Sequence, residues 1–139
     1  MSKRYEILAH TADIGIRTFG RTLPELYENA ARGLLDLLLS PRGVRAKEKE
    51  TVTVAGADAV DLMIVWLHEV LLRVDARKRA FADVRVTEVS DTRLVAELAG
   101  EPFDLSRHKR RREIKGVTYH AAVVEKTESG WMAEVLFDV

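Results

Sequence analysis

The run Leu62-Met63-Ile64-Val65-Trp66-Leu67 is apolar nearly all the way round a helix rather than along one stripe. A helix of that kind has little surface to offer water, so it must lie between other layers. Asp58 stands ahead of it as an N-cap, and the spacing predicts a helix from there to about Val74. A second helical segment is of a different kind. Leu23, Leu26, Tyr27, Ala30, Ala31, Leu34, Leu35 and Leu38 recur at amphipathic spacing. Thr22 followed three residues later by Glu25 reads as a capping box. Ser40-Pro41 ends the run, because proline disfavours helical geometry in the residue before it. A helix over about 23–39 follows.

The rest reads as strands. Ile14, Ile16 and Thr18 alternate with Gly15, Arg17 and Phe19, and Val52 and Val54 share a face. Val84 and Val86 precede a turn at Ser90-Asp91, and Leu94, Ala96 and Leu98 follow it, as in a hairpin. A second hairpin turns at Ser129-Gly130, between Val117–Glu125 and Trp131–Val139. Helices set between groups of strands predict an α+β fold rather than a parallel doubly wound one. The expected architecture is two helices packed on antiparallel or mixed β-sheets, in a single domain spanning 1–139. A chain of 139 residues, 47% hydrophobic and 32% charged, has the makings of one well-buried core. The formal net charge is zero, which gives no general argument for nucleic acid or an anionic membrane. There is no cysteine, so disulfides, thiolate metal sites and cysteine nucleophiles are excluded. The N-terminus carries no apolar signal core, and the longest apolar run is far too short to cross a bilayer. A cytoplasmic location is expected.

Three short stretches carry the chemistry. His10-Thr11-Ala12-Asp13-Ile14-Gly15 is a polar break between two apolar runs, the kind of surface corner where backbone meets ligand. Glu113-Ile114-Lys115-Gly116-Val117-Thr118-Tyr119-His120 opens a late strand, and Leu136-Phe137-Asp138-Val139 closes the sequence. Taken by itself, Asp13 reads as a turn or cap residue bound to local backbone. Asp138 beside a terminal carboxylate is self-repelling unless a cation sits nearby. A hard divalent ion, calcium or magnesium, suits such oxygens.

These three stretches together resemble the archease family, and the likeness runs from the first strand to the last residue. The resemblance implies that Asp13, Asp138 and Val139 form a metal site, calcium being expected first and magnesium second. It also implies a role for Lys115, since the Glu-x-Lys-x-x-Thr-Tyr string is matched. Gly116 stands where the family usually has alanine, a departure that loosens the backbone but leaves the lysine. What the family resemblance implies is a protein without catalysis of its own, in tRNA splicing and RNA repair. Archeases stimulate an RtcB-type RNA ligase, promoting its guanylylation and multiple turnover, with RNA met through the ligase. Asp13, Lys115 and Asp138 would be the partner-activating residues.

The remaining polar residues read more plainly. His10 is taken as a corner residue that fixes the loop, and His120 as a partly exposed strand residue. A zinc site would need both, with a carboxylate, to converge. The run Arg107-His108-Lys109-Arg110-Arg111-Arg112 has no interleaved aromatic for base stacking, so it reads as a solvated, mobile loop. Gly-rich phosphate loops, Gly-x-Ser-x-Gly elbows and His-Glu-x-x-His helices are absent. Two alternatives stand beside the ligase reading: an RNA-binding chaperone or modulator of an RNA-modifying enzyme, and a stand-alone metal-dependent hydrolase.

Overall fold

Thr22 starts the first helix, α1 (Leu23–Leu38), from an extended conformation, and its Oγ1 accepts the Glu25 N–H at 3.3 Å. This is the forward half of the expected capping box. Pro24 lies in the first turn, where its missing N–H costs nothing. The helix stops at Leu39, which turns extended ahead of Ser40-Pro41. The second helix, α2 (Ala59–Asp75), begins at Asp58, whose Oδ1 accepts the Asp61 N–H at 2.8 Å. Asp61 Oδ2 in turn accepts the Ala57 N–H at 2.7 Å, which fixes the chain just ahead of the cap.

This is a computed structural model, and it describes residues 3–9 and 13–139. The strands among them are β1 (Tyr5–Ala9), β2 (Asp13–Gly20), β3 (Glu48–Ala55), β4 (Arg79–Val89), β5 (Arg93–Pro102), β6 (Gly116–Thr127) and β7 (Gly130–Asp138). They form a four-stranded sheet ordered β1-β2-β7-β6 and a three-stranded sheet ordered β3-β5-β4. Every pairing is antiparallel, which narrows the expectation of antiparallel or mixed sheets to the first. Both predicted hairpins are present, β4–β5 and β6–β7.

The helices lie between the sheets. The amphipathic α1 packs on β1, β2 and β7 of one sheet and on β4 of the other. The more apolar α2 packs on β6 and on all three strands of the smaller sheet. That is why α2 is hydrophobic nearly all round. Trp66 at its centre is fully buried, and its indole N–H donates to the Tyr27 carbonyl at 2.9 Å. The Tyr27 hydroxyl donates to the Ala59 carbonyl at 2.9 Å. These two bonds tie the helices together at fixed depth, with one continuous core on both sides of them.

The segment between β5 and β6 is tied to the fold at several points, where the sequence expectation was a mobile loop, while Lys109 to Glu113 are exposed as expected. Several of its charges are engaged internally. Arg107 grips Glu101 with both terminal nitrogens, at 2.7 and 3.2 Å. His108 is 3% exposed and Glu101 2%. His108 Nδ1 accepts the Asp104 N–H at 2.8 Å, so the ring proton sits on Nε2, which donates to Glu101 at 2.9 Å. The Arg107 hydrogen bond is the main reason the Glu101 carboxyl is held down at about 2. Arg110 pairs with Asp75 at 2.9 Å, and the Arg111 N–H donates to the Leu38 carbonyl at 2.9 Å. The basic run is a strap laced over the end of α1.

Candidate functional site

The register of the larger sheet brings distant parts of the chain together. Asp13 is the first residue of β2 and Asp138 the last of β7, and the two are direct partners across the ladder. On the other side of β7, Gly116 at the start of β6 is also opposite Asp138. Directly opposed residues share a face, with Cβ atoms about 4.5–5.5 Å apart. Asp13, Asp138 and Gly116 therefore form one row at the end of the sheet. The Lys115 N–H donates to the Asp138 carbonyl at 2.8 Å, which fixes the lysine one residue from that row. Ile114, 1% exposed, anchors the chain just before it. Asp13 is half-buried, while Lys115, Asp138 and Val139 are exposed.

Two glycines shape this end. A Cβ on Gly15 would meet the Val135 carbonyl oxygen at 2.6 Å and Leu136 Cδ2 at 2.7 Å. Only glycine lets β2 lie this close to β7 and carry Asp13 up to Asp138. Gly116 is the reverse case. A Cβ there would stand 3.7 Å from Asp138 Oδ2, an ordinary contact. An alanine fits, so the glycine opens space beside the carboxylate rather than avoiding a clash.

Two carboxylates directly opposed repel each other and leave oxygen atoms for a cation. Carboxylate oxygens are the donors a hard ion takes, and such an ion would draw its remaining ligands from main-chain oxygens and water. Among the described residues no three His, Cys, Asp or Glu side chains converge on a point, so the row offers two side-chain carboxylates to any ion and no histidine to zinc. His120 is exposed and sits in a bulge of β6, its N–H donating to Thr118 Oγ1 at 3.0 Å. His10 lies outside the described residues.

Residues 5–139 match the Archease protein family (MTH1598/TM1083). The chain belongs to the archease family. Protein archease of Thermococcus gammatolerans is 39% identical over 99% of both chains. That of Pyrococcus abyssi is 37% identical over the same shares. The solution structure of Methanobacterium thermoautotrophicum protein 1598 superposes with a TM-score of 0.81 at 29% identity, covering 98% of this chain and 99% of that one. The archease resemblance read from the three polar stretches is thereby established, together with the α+β fold.

One feature of this archease fold escaped the sequence reading. Tyr119 of β6 is 58% exposed, and its hydroxyl donates to Asp61 Oδ1 of α2 at 2.5 Å. That bond raises the tyrosine's pKa, and it is the main cause that lowers the Asp61 carboxyl. Beside it Ile64, Val65, His68, Val117 and Tyr119 line an open pocket of about 190 Å³. The available signal was the spacing of Asp61, Val65, His68 and Leu72, four residues that keep to one stripe of α2. A larger hollow, about 500 Å³, lies away from the acid row between α1 and β4, lined by Arg32, Asp36 and Asp83.

Proposed function

We propose that this protein activates an RtcB-type RNA ligase in tRNA splicing and RNA repair, and has no catalytic activity of its own. Family membership supports the reading, and the observation that carries it is the juxtaposition of Asp13, Asp138 and Lys115 at one end of the sheet. Asp13 and Asp138 would hold a divalent cation, calcium first and magnesium second, with the main-chain oxygens of Val139. When bound, the ion supplies concentrated positive charge for phosphate oxygens.

The chain's own residues do the rest. The β2–β7 ladder fixes the separation of the two carboxylates before any partner arrives. The bond from the Lys115 N–H to Asp138 holds the lysine backbone in place while its side chain stays in solvent. An ammonium presented in this way can neutralise a phosphate in the ligase's nucleotide site. Charge placed in advance where it will develop is often the largest catalytic term. The cation and the lysine would favour guanylylation of the ligase and its release for another round.

The RNA-chaperone alternative leaned on the basic run, and Arg107 and Arg110 are already engaged with Glu101 and Asp75. The test is RNA joining by the cognate ligase over many turnovers, with and without this protein at substoichiometric amounts. We expect several-fold acceleration with the protein and no RNA cleavage or joining by the protein alone. Metal-dependent turnover by the purified chain without ligase would instead support the hydrolase reading.

A further inference from the structure

Strand β6 is an edge of the larger sheet, and it does not pair evenly with β7. Thr118 opposes Leu136 and Val123 opposes Glu134, so residues 119–122 face the single residue Val135. Within this bulge Ala121 takes a φ of +56°, a left-handed conformation that a residue with a Cβ adopts only at a cost. Strained bulges re-aim side chains and gather beside functional sites. Here the bulge carries Tyr119, whose hydroxyl is fastened to Asp61 across a gap between β6 and α2.

That gap is a groove. One wall is Ile64, Val65 and His68 of α2, with Asp61 reached by the Tyr119 hydroxyl. The other wall is Tyr119 and Val117. Val65 is half-buried, His68 is exposed, and Leu72 is 39% exposed. The groove's open pocket of about 190 Å³ suits one side chain, being smaller than the usual small-molecule pocket of about 300–1,000 Å³. An exposed tyrosine over an apolar pocket is the common form of a binding hot spot.

The rim charge selects the occupant. Asp58 and Asp61, at the start of α2, both act on Tyr119. A nucleic-acid strand would bring phosphates into this acidic surround, and a second copy of this chain would bring the same acids. We propose that the groove between β6 and α2 seats a segment of a protein partner, with one apolar or aromatic side chain in the pocket and basic residues beside Asp58 and Asp61. The identity of that partner as the ligase rests on the preceding reading.

The experiment measures the Kd of the cognate ligase for the full-length protein and its variants, alongside stimulation of ligation. Circular dichroism confirms folding, which is expected because the altered side chains are exposed. Tyr119→Ala should raise Kd about tenfold or more, while Tyr119→Phe, which keeps the ring and loses the Asp61 bond, should raise it less. His68→Lys should weaken binding, and His68→Glu should leave it equal or tighter. Wild-type protein that stimulates and binds, with Tyr119→Ala and His68→Lys both within about twofold of it, overturns the groove and leaves the ligase reading intact. Wild-type protein that neither binds nor stimulates overturns both. Lost stimulation at saturating protein with unchanged Kd also overturns the docking role.

Discussion

The opposed carboxylates make a prediction whose sign reverses with metal. Asp13 and Asp138 are cross-strand partners, and like charges in that position cost about 0.2–1 kcal/mol in an exposed sheet. Without a divalent ion, Asp138→Asn removes that repulsion and keeps the shape of the side chain. It should therefore stabilise the protein by up to about 1 kcal/mol, a rise of about 2–4 °C in Tm for a chain of this size. With calcium the order inverts. The wild-type protein gains RT ln(1 + [Ca²⁺]/Kd), about 2.7 kcal/mol at a hundredfold excess over Kd, and the variant gains little. The two melting curves should cross between EDTA and saturating calcium. Differential scanning calorimetry of wild type, Asp13→Asn and Asp138→Asn in both conditions reads this directly. If both variants keep the full calcium shift, the acid row is not the metal site. If neither melts higher than wild type in EDTA, the carboxylates do not repel and the physical basis of the site is wrong.

Lys115→Ala should shift stability by less than about 0.5 kcal/mol, as exposed truncations do, yet lose most of the ligase stimulation. Replacing Arg110, Arg111 and Arg112 together by serine should lower Tm, because the Arg110 side chain pairs with Asp75 at the end of α2 and that of Arg111 donates to the Asp36 carbonyl of α1, and should leave most stimulation intact below that Tm. A failed triple variant beside an active Lys115→Ala would move the function to the strap. Glu101 is held at about 2 in the folded protein against an ordinary 4.5, so the unfolded chain takes up its proton first. Its contribution is complete above about 4.5 and fades as the pH falls toward about 2, and an acid titration of Glu101→Gln should lack this limb. Residues appended after Val139 should weaken calcium binding relative to the same residues placed before Met1, and equal calorimetric affinities would remove Val139 from the site.

What the sequence disclosed and what it hid divide along sequence distance. Both helices were legible because their evidence is local: a cap, an apolar period and a stop all fall within about 17 residues. The hairpins were legible for the same reason. The pairing of Asp13 with Asp138 joins residues at opposite ends of the chain. No spacing rule reaches that far, and the archease resemblance had to supply the link. The strap was misjudged because a run of like charges looks mobile until its partners are known, and Glu101 and Asp75 are placed beside it only by the folded sheet and helix.

The groove was hidden for a further reason. Period-two reasoning assigns each strand residue a face, but a bulge that sets four residues of β6 against one of β7 breaks the alternation at Tyr119. The sequence could place Tyr119 in a strand and could not say that it turns toward Asp61. The same irregularity that defeats the pattern gives the tyrosine its position. The ladder fixes the acids and the bulge frees the aromatic, so the two proposed sites depend on opposite properties of adjoining strands. Restoring regular β6–β7 pairing by deleting three bulge residues should therefore leave the acid row in place and remove the groove. Calcium binding that survives this deletion while ligase affinity is lost would separate the two.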